Sequence, residues 1–118
     1  MQSYQGSCHC GTIRFGFTTE PITKGLRCNC SLCIRKGALM SAFVLAPEQL
    51  TIESGLEFLG VYQFGSRIAK HHFCTNCGVY TFHQTVRAPG QYRINLGCVE
   101  GLDICQLPSE LFDGRNLI

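Results

Sequence analysis

The sequence predicts a mainly β domain made of several short strands. Short runs alternate apolar and polar residues with period two, turn residues punctuate them, and no window sustains a helical period. Residues 12–17 (Thr-Ile-Arg-Phe-Gly-Phe) are the clearest such run, with the pattern of a half-buried strand. Further strands are expected over 39–45, 50–53, 58–64, 72–73, 79–85 and 92–96. The breaks carry turn chemistry at Glu20-Pro21, Ala46-Pro47, Ser54-Gly55, Gly65-Ser66 and Ala88-Pro89-Gly90. Ser31 is a good N-cap for one short helical turn over Leu32 to Lys36, and Pro47-Glu48-Gln49 suits another brief turn. Met1 to Gly6 is polar and leads directly into the first cysteine pair.

At 118 residues the chain has room for one domain, residues 1–118, and it shows no repeat or linker. A 45% hydrophobic share against 15% charged supports a packed core and excludes disorder. The net charge of +2 is too small to argue for nucleic acid or a membrane surface. Arg35-Lys36 is the only adjacent basic pair. No signal-peptide pattern or membrane-spanning run is present, so a cytoplasmic protein with reduced thiols is expected. Nine cysteines is an odd count, which fits metal binding better than a disulfide framework.

Seven of the nine are clustered. Cys8-His9-Cys10 lies between two glycines, Cys28-Asn29-Cys30-Ser31-Leu32-Cys33 is a CxCxxC, and Cys74-Thr75-Asn76-Cys77 is closed by Gly78. Two cysteines in one tight turn can face one ion, and two such turns complete a tetrahedral four-sulfur zinc site. The CxCxxC is self-contained on one loop, so Cys8, Cys10, Cys74 and Cys77 are assigned to the closed site. Cys28, Cys30 and Cys33 then form a three-thiolate site with a coordination position open for chemistry. Iron in a rubredoxin-like or cluster form competes for these ligands. For the CxCxxC, a second structural zinc completed by a histidine or Cys98, or a redox switch, stands beside the catalytic reading. Cys98 and Cys105 are isolated and read as core residues. His9 is expected to face away from the metal, His71 and His72 to point one inward and one outward, and His83 to be an ordinary strand residue. No acid–base pair is recognisable beside the CxCxxC.

The order GSCHCG, CNCSLC, HHFCTNCG resembles the glutathione-dependent formaldehyde-activating enzyme (Gfa) family. The later half, from Tyr62-Gln63-Phe64 to Glu110-Leu111-Phe112-Asp113-Gly114, is most similar to the branch containing centromere protein V. The resemblance implies an Mss4-like fold of short coiled antiparallel sheets around a structural zinc on Cys8, Cys10, Cys74 and Cys77. It implies a second zinc on Cys28, Cys30 and Cys33, hence two Zn2+ per chain. It also implies carbon–sulfur lyase activity on adducts such as S-hydroxymethylglutathione, with glutathione or another small thiol and formaldehyde or another aldehyde as partners. Arg35 and Lys36, just beyond Cys33, are placed to offset the negative charge of a thiolate-rich zinc. A non-catalytic zinc-binding interaction module is the rival function.

Overall fold

The computed structural model describes residues 1–117, and it is mainly β, as the alternation predicts. Ten strands form three small sheets. The first holds β1 (Gln2–Ser7), β2 (Arg14–Thr19) and β5 (Leu50–Ser54), in the order β1-β2-β5. The second holds β3 (Gly25–Cys28), β4 (Met40–Ser41) and β10 (Ser109–Phe112), in the order β10-β3-β4. The third is a meander of β6 (Leu59–Tyr62), β7 (Lys70–Cys74), β8 (Tyr80–Gln84) and β9 (Tyr92–Ile94). Two short helices, α1 (Ser31–Lys36) and α2 (Gly114–Leu117), follow β3 and β10.

Four strands depart from the sequence pattern. The polar lead-in is itself β1, paired antiparallel with β2 from Gln2↔Thr19 to Ser7↔Arg14. Its stabilisation comes from neighbours: the Tyr4 ring stacks on Phe17 at 5.5 Å, and Gly6 lies under the Phe15 ring. The strand expected over 39–45 shrinks to β4, because the Ser41 hydroxyl donates to Phe43 O and turns the chain. Neither β3 nor β10 alternates strongly. They pair in parallel, against the all-antiparallel expectation, and the exposed Lys24–Glu110 ion pair sits beside them.

The sheets meet in one core of Ile13, Phe15, Phe17, Leu39, Leu45, Phe82, Ile94 and Leu96. Phe15 of the first sheet meets Phe82 of the third edge to face, with ring centroids 5.4 Å apart. His71 and His72 do point to opposite faces of β7, but both are buried, correcting the outward placement of one of them. His72 packs against Phe82 and Tyr92 in the core. His71 pairs with His83 on the other face, which the CxCxxC loop covers.

Phe15 has no exposed surface whereas Leu111 on β10 is 68% exposed. Phe15→Ala is therefore expected to cost about 3–5 kcal/mol in urea unfolding, and Leu111→Ala less than about 0.5 kcal/mol.

Candidate metal centre and reaction pocket

The CxC and CxxC segments fold as two matching turns. In the first, Cys8 N donates to Ile13 O, Gly11 N to Cys8 O, and Ile13 N to Cys8 Sγ at 3.3 Å. In the second, Cys74 N donates to Val79 O and Gly78 N to Cys74 O, while Asn76 N and Cys77 N each lie 3.4 Å from Cys74 Sγ. Gly11 and Gly78 close these turns at φ +79° and +80°, a conformation that penalises a Cβ.

The four sulfurs of Cys8, Cys10, Cys74 and Cys77 all lie within 4.8 Å of one another. Cys8 and Cys10 Sγ are 3.6 Å apart, and Cys10 and Cys74 Sγ 3.7 Å. A tetrahedron with metal–sulfur arms of about 2.3 Å has edges of about 3.8 Å. The donor set therefore fits a four-coordinate thiophilic ion such as zinc. N–H groups aimed at sulfur favour the thiolate such an ion requires. The Cys10 thiol is pulled down to about 5, first by the Thr12 hydroxyl 3.1 Å away and next by the Asn76 amide, which donates at 3.3 Å.

Cys28, Cys30 and Cys33 form the second group, their sulfurs also within 4.8 Å of one another. Cys28 ends β3 and Cys33 lies in the first turn of α1. The N-cap of α1 is Cys30 rather than the expected Ser31: its sulfur accepts from Cys33 N at 3.4 Å. Cys30 N in turn points at Cys28 Sγ at 3.4 Å. Three sulfurs without a fourth protein ligand fit a metal that keeps one position open. Cys98 is outside both groups, packed against the core with its Sγ 3.5 Å from Tyr80 O. Cys105 is exposed, which corrects its assignment to the core. His9 is exposed.

The C-terminal segment clasps this loop. Asn29 Nδ2 donates to Asp113 Oδ1 at 2.9 Å, Arg115 N donates to Asn29 Oδ1 at 2.8 Å, and Asn29 N donates to Phe112 O. The fit is tight: a Cβ on Gly114 would lie 2.6 Å from Cys28 Sγ.

The three cysteines line a cavity of about 390 Å³, with His71, His83 and Arg93 also in its wall. Its other walls, including Leu26, Met40 and Phe112, are largely apolar. Lys36 turns inward, its Nζ 3.8 Å from the centroid of the Tyr80 ring and 3.4 Å from His83 Nδ1. Arg35 turns outward: its guanidinium donates to Ser31 O at 2.7 Å and lines a separate shallow groove with Tyr62 and Phe64. Burial pushes the Cys33 thiol up to about 12, with the Lys36 charge opposing. Burial likewise lowers the Lys36 ammonium, opposed chiefly by Cys33 and Cys30. A cation at the three sulfurs would stabilise the Cys33 thiolate.

The acid–base groups not recognised in the sequence lie on β7 and β8. His71 Nδ1 is 2.9 Å from the Tyr80 hydroxyl, and His83 Nδ1 is 2.5 Å from the same oxygen. Burial depresses both imidazoles, His71 to about 4 and His83 further, with the Lys36 charge adding to each. Hairpin pairing of the two strands around Cys74-x-x-Cys77 was the signal that could have found them, since it sets His71 opposite His83.

With this geometry established, the comparisons are specific. The sequence matches the family described as glutathione-dependent formaldehyde-activating enzyme over residues 3–114. The chain belongs to this family. A Halomonas elongata protein bearing the family's name is 30% identical over 80 residues, which are 62% of this chain and 50% of that protein. The chain thus spans about half the length of this curated relative. The crystal structure of a Rhodobacter sphaeroides protein superposes with a TM-score of 0.79 at 35% identity, covering 90% of this chain and 99% of the other.

Three tests follow from the unequal clusters. Cys74→Ser is expected to abolish the cooperative thermal transition followed by circular dichroism, as loss of a closed structural site does. Cys30→Ser is expected to retain that transition while lowering the amount of metal the protein takes up. Gly114→Ala, which crowds Cys28 Sγ, is expected to lower metal retention at the trio, read as faster loss of metal to a chelator than from the wild type.

Proposed function

We propose that this protein makes and breaks carbon–sulfur bonds between small thiols and aldehydes, the reaction that yields adducts such as S-hydroxymethylglutathione. The observation that carries this reading is the placement of Cys28, Cys30 and Cys33 at the wall of a cavity shared with two imidazoles. Family membership supports it, since the family's name couples glutathione to formaldehyde.

In this reading both clusters hold zinc: the four-sulfur site is structural, and the trio is where chemistry occurs. Zinc on three thiolates supplies a Lewis acid with one free position, which lowers the pKa of a thiol placed there. The chain's own residues do the rest. The N–H groups of Cys30 and Cys33 fix the sulfurs at the start of α1. Lys36 offsets their negative charge from within, and the Tyr80 ring beneath it favours the cation. Arg35 provides an outer cation for the carboxylates of a thiol such as glutathione, in a groove that shares Phe64 with the cavity. The apolar walls keep water away from the reacting carbon. Nine unpaired cysteines suit a reducing, cytoplasmic setting. Among the described residues, no helix is long and apolar enough to cross a membrane.

The test is to load the purified protein with zinc and follow exchange between formaldehyde, glutathione and their adduct by NMR. Faster exchange than in buffer is expected, lost in Cys30→Ser and kept in Cys105→Ser. A fully loaded protein that leaves the uncatalysed rate unchanged, with glutathione and with simpler thiols, sinks the lyase reading in favour of a binding module.

A further inference from the structure

A hydrogen-bonded chain runs Lys36 Nζ, His83 Nδ1, Tyr80 Oη, His71 Nδ1, and its two imidazoles line the cavity with the three cysteines. The Tyr80 hydroxyl holds one proton, so it donates to one imidazole Nδ1 and accepts from the other. The Lys36 ammonium, 3.4 Å from His83 Nδ1, favours the orientation in which that nitrogen accepts. A neutral imidazole with an accepting Nδ1 carries its proton on Nε2. In this resting orientation Tyr80 donates its hydroxyl proton to His83 Nδ1, and its oxygen accepts from His71. His71 therefore carries its proton on Nδ1 and keeps a lone pair on Nε2. Burial of both rings, which holds them neutral, agrees with this assignment. Both rings line the cavity, and neither Nε2 has a protein partner among the described residues. The result is asymmetric: His71 offers the cavity an acceptor, and His83 offers it a donor.

Building on the lyase reading, we infer that His71 and His83, bridged by the Tyr80 hydroxyl, are the base and acid of the carbon–sulfur reaction. In the forming direction, the substrate thiol's proton passes to His71 Nε2 and the sulfur electron pair forms the C–S bond. The aldehyde C=O π bond breaks, its electrons go to oxygen, and that oxygen takes the Nε2 proton of His83. Within the wall, the His71 Nδ1 proton moves to the Tyr80 oxygen, and the Tyr80 hydroxyl proton moves to His83 Nδ1. One proton enters and one leaves, so the chain stays neutral with both tautomers reversed. Exchange with water at the cavity mouth resets them, and the reversed state is the one poised to break the C–S bond. The chain thus joins the two proton-transfer points through one fixed hydroxyl. His71 and His83 are catalytic residues in this scheme, and Tyr80 is a positioning residue that acts through them.

Two measurements test the assignment, one of them independent of turnover. Two-bond proton–nitrogen correlation spectra of the zinc-loaded protein, labelled with 15N-histidine, are expected to show both rings neutral at neutral pH. His71 is expected as the Nδ1–H tautomer and His83 as the Nε2–H tautomer. The same tautomer in both rings, or an imidazolium in either, overturns the inference. In the glutathione–formaldehyde exchange assay, His71→Gln and His83→Gln are expected to lower turnover by roughly 10²-fold or more, with KM for the thiol and zinc content unchanged. Tyr80→Phe is expected to lower turnover by about tenfold or more while scrambling the His71 tautomer and leaving the unfolding midpoint within a few degrees. A wild-type protein that turns over, with variants that match it, overturns the relay alone. A wild-type protein that does not turn over overturns the lyase reading and the relay with it.

Discussion

The junction between two hairpin turns, Cys8-x-Cys10 and Cys74-x-x-Cys77, organises the molecule. These turns are 64 residues apart between Cys10 and Cys74, yet their sulfurs stand at the edge length of a thiolate tetrahedron. Neither hairpin has enough apolar surface to be stable alone. Joined at their turns, they set β2 against the meander, and the Phe15–Phe82 contact forms just behind the sulfurs. Cys8 and Cys74 belong to that same buried cluster. The metal site and the hydrophobic core are one structure, in which ligand geometry and side-chain packing favour the same arrangement. The binding energy of a metal held there would be folding energy, which a chain of this size can use.

The second cluster rests on different support. Its three sulfurs come from one loop, so its shape depends on what holds the loop rather than on distant turns. The parallel pairing of β3 with β10 supplies that hold, and Asn29, bonded by Asp113 and Arg115, locks it. The clasp is made of backbone, amide and carboxylate groups, with Asn29 between the Asp113 side chain and the Arg115 backbone N–H. It leaves the sulfurs facing an apolar cavity where charge is expensive. That expense explains the company they keep: the start of a helix, the half-buried Lys36 ammonium, and an aromatic face beneath the ammonium.

How much of this was legible follows from which forces decide each part. The cysteine clusters were readable because a tight turn with two thiols and a glycine has few purposes, and both groups assemble as the spacing predicts. Strong alternation identified β2, β5 and β8. By contrast, β1, β3 and β10 are weak in pattern because they are specified from outside. A stacked tyrosine, a glycine under a phenyl ring and a parallel partner more than 80 residues away make them strands. The N-cap of α1 moved from Ser31 to Cys30 because the sulfur already required by the cluster also satisfies the helix N–H. His83 was unremarkable by itself. Its meaning lies in a cross-strand pairing, and pairing is invisible in one strand read alone.

The β7–β8 hairpin shows why these parts belong together. Its turn carries Cys74 and Cys77, its core face carries Phe82 and His72, and its other face carries His71, Tyr80 and His83. A one-residue slip in the pairing would exchange the two faces, sending the imidazoles into the core and Phe82 toward the cavity. The slip is prevented at the turn, where Cys74 N bonds Val79 O and Gly78 N bonds Cys74 O. The register irregularity between His72 and Phe73 adjusts the strand just before the ligands. His72 bears the cost of this arrangement. Neither of its nitrogens finds a partner among the described residues, and burial keeps it neutral between Phe82 and Tyr92. An unsatisfied imidazole in a core costs about 1–3 kcal/mol. The fold carries that cost on the same hairpin whose sulfur-fixed register holds the adjacent His71 at the cavity, so the closed metal site governs the geometry of the open one.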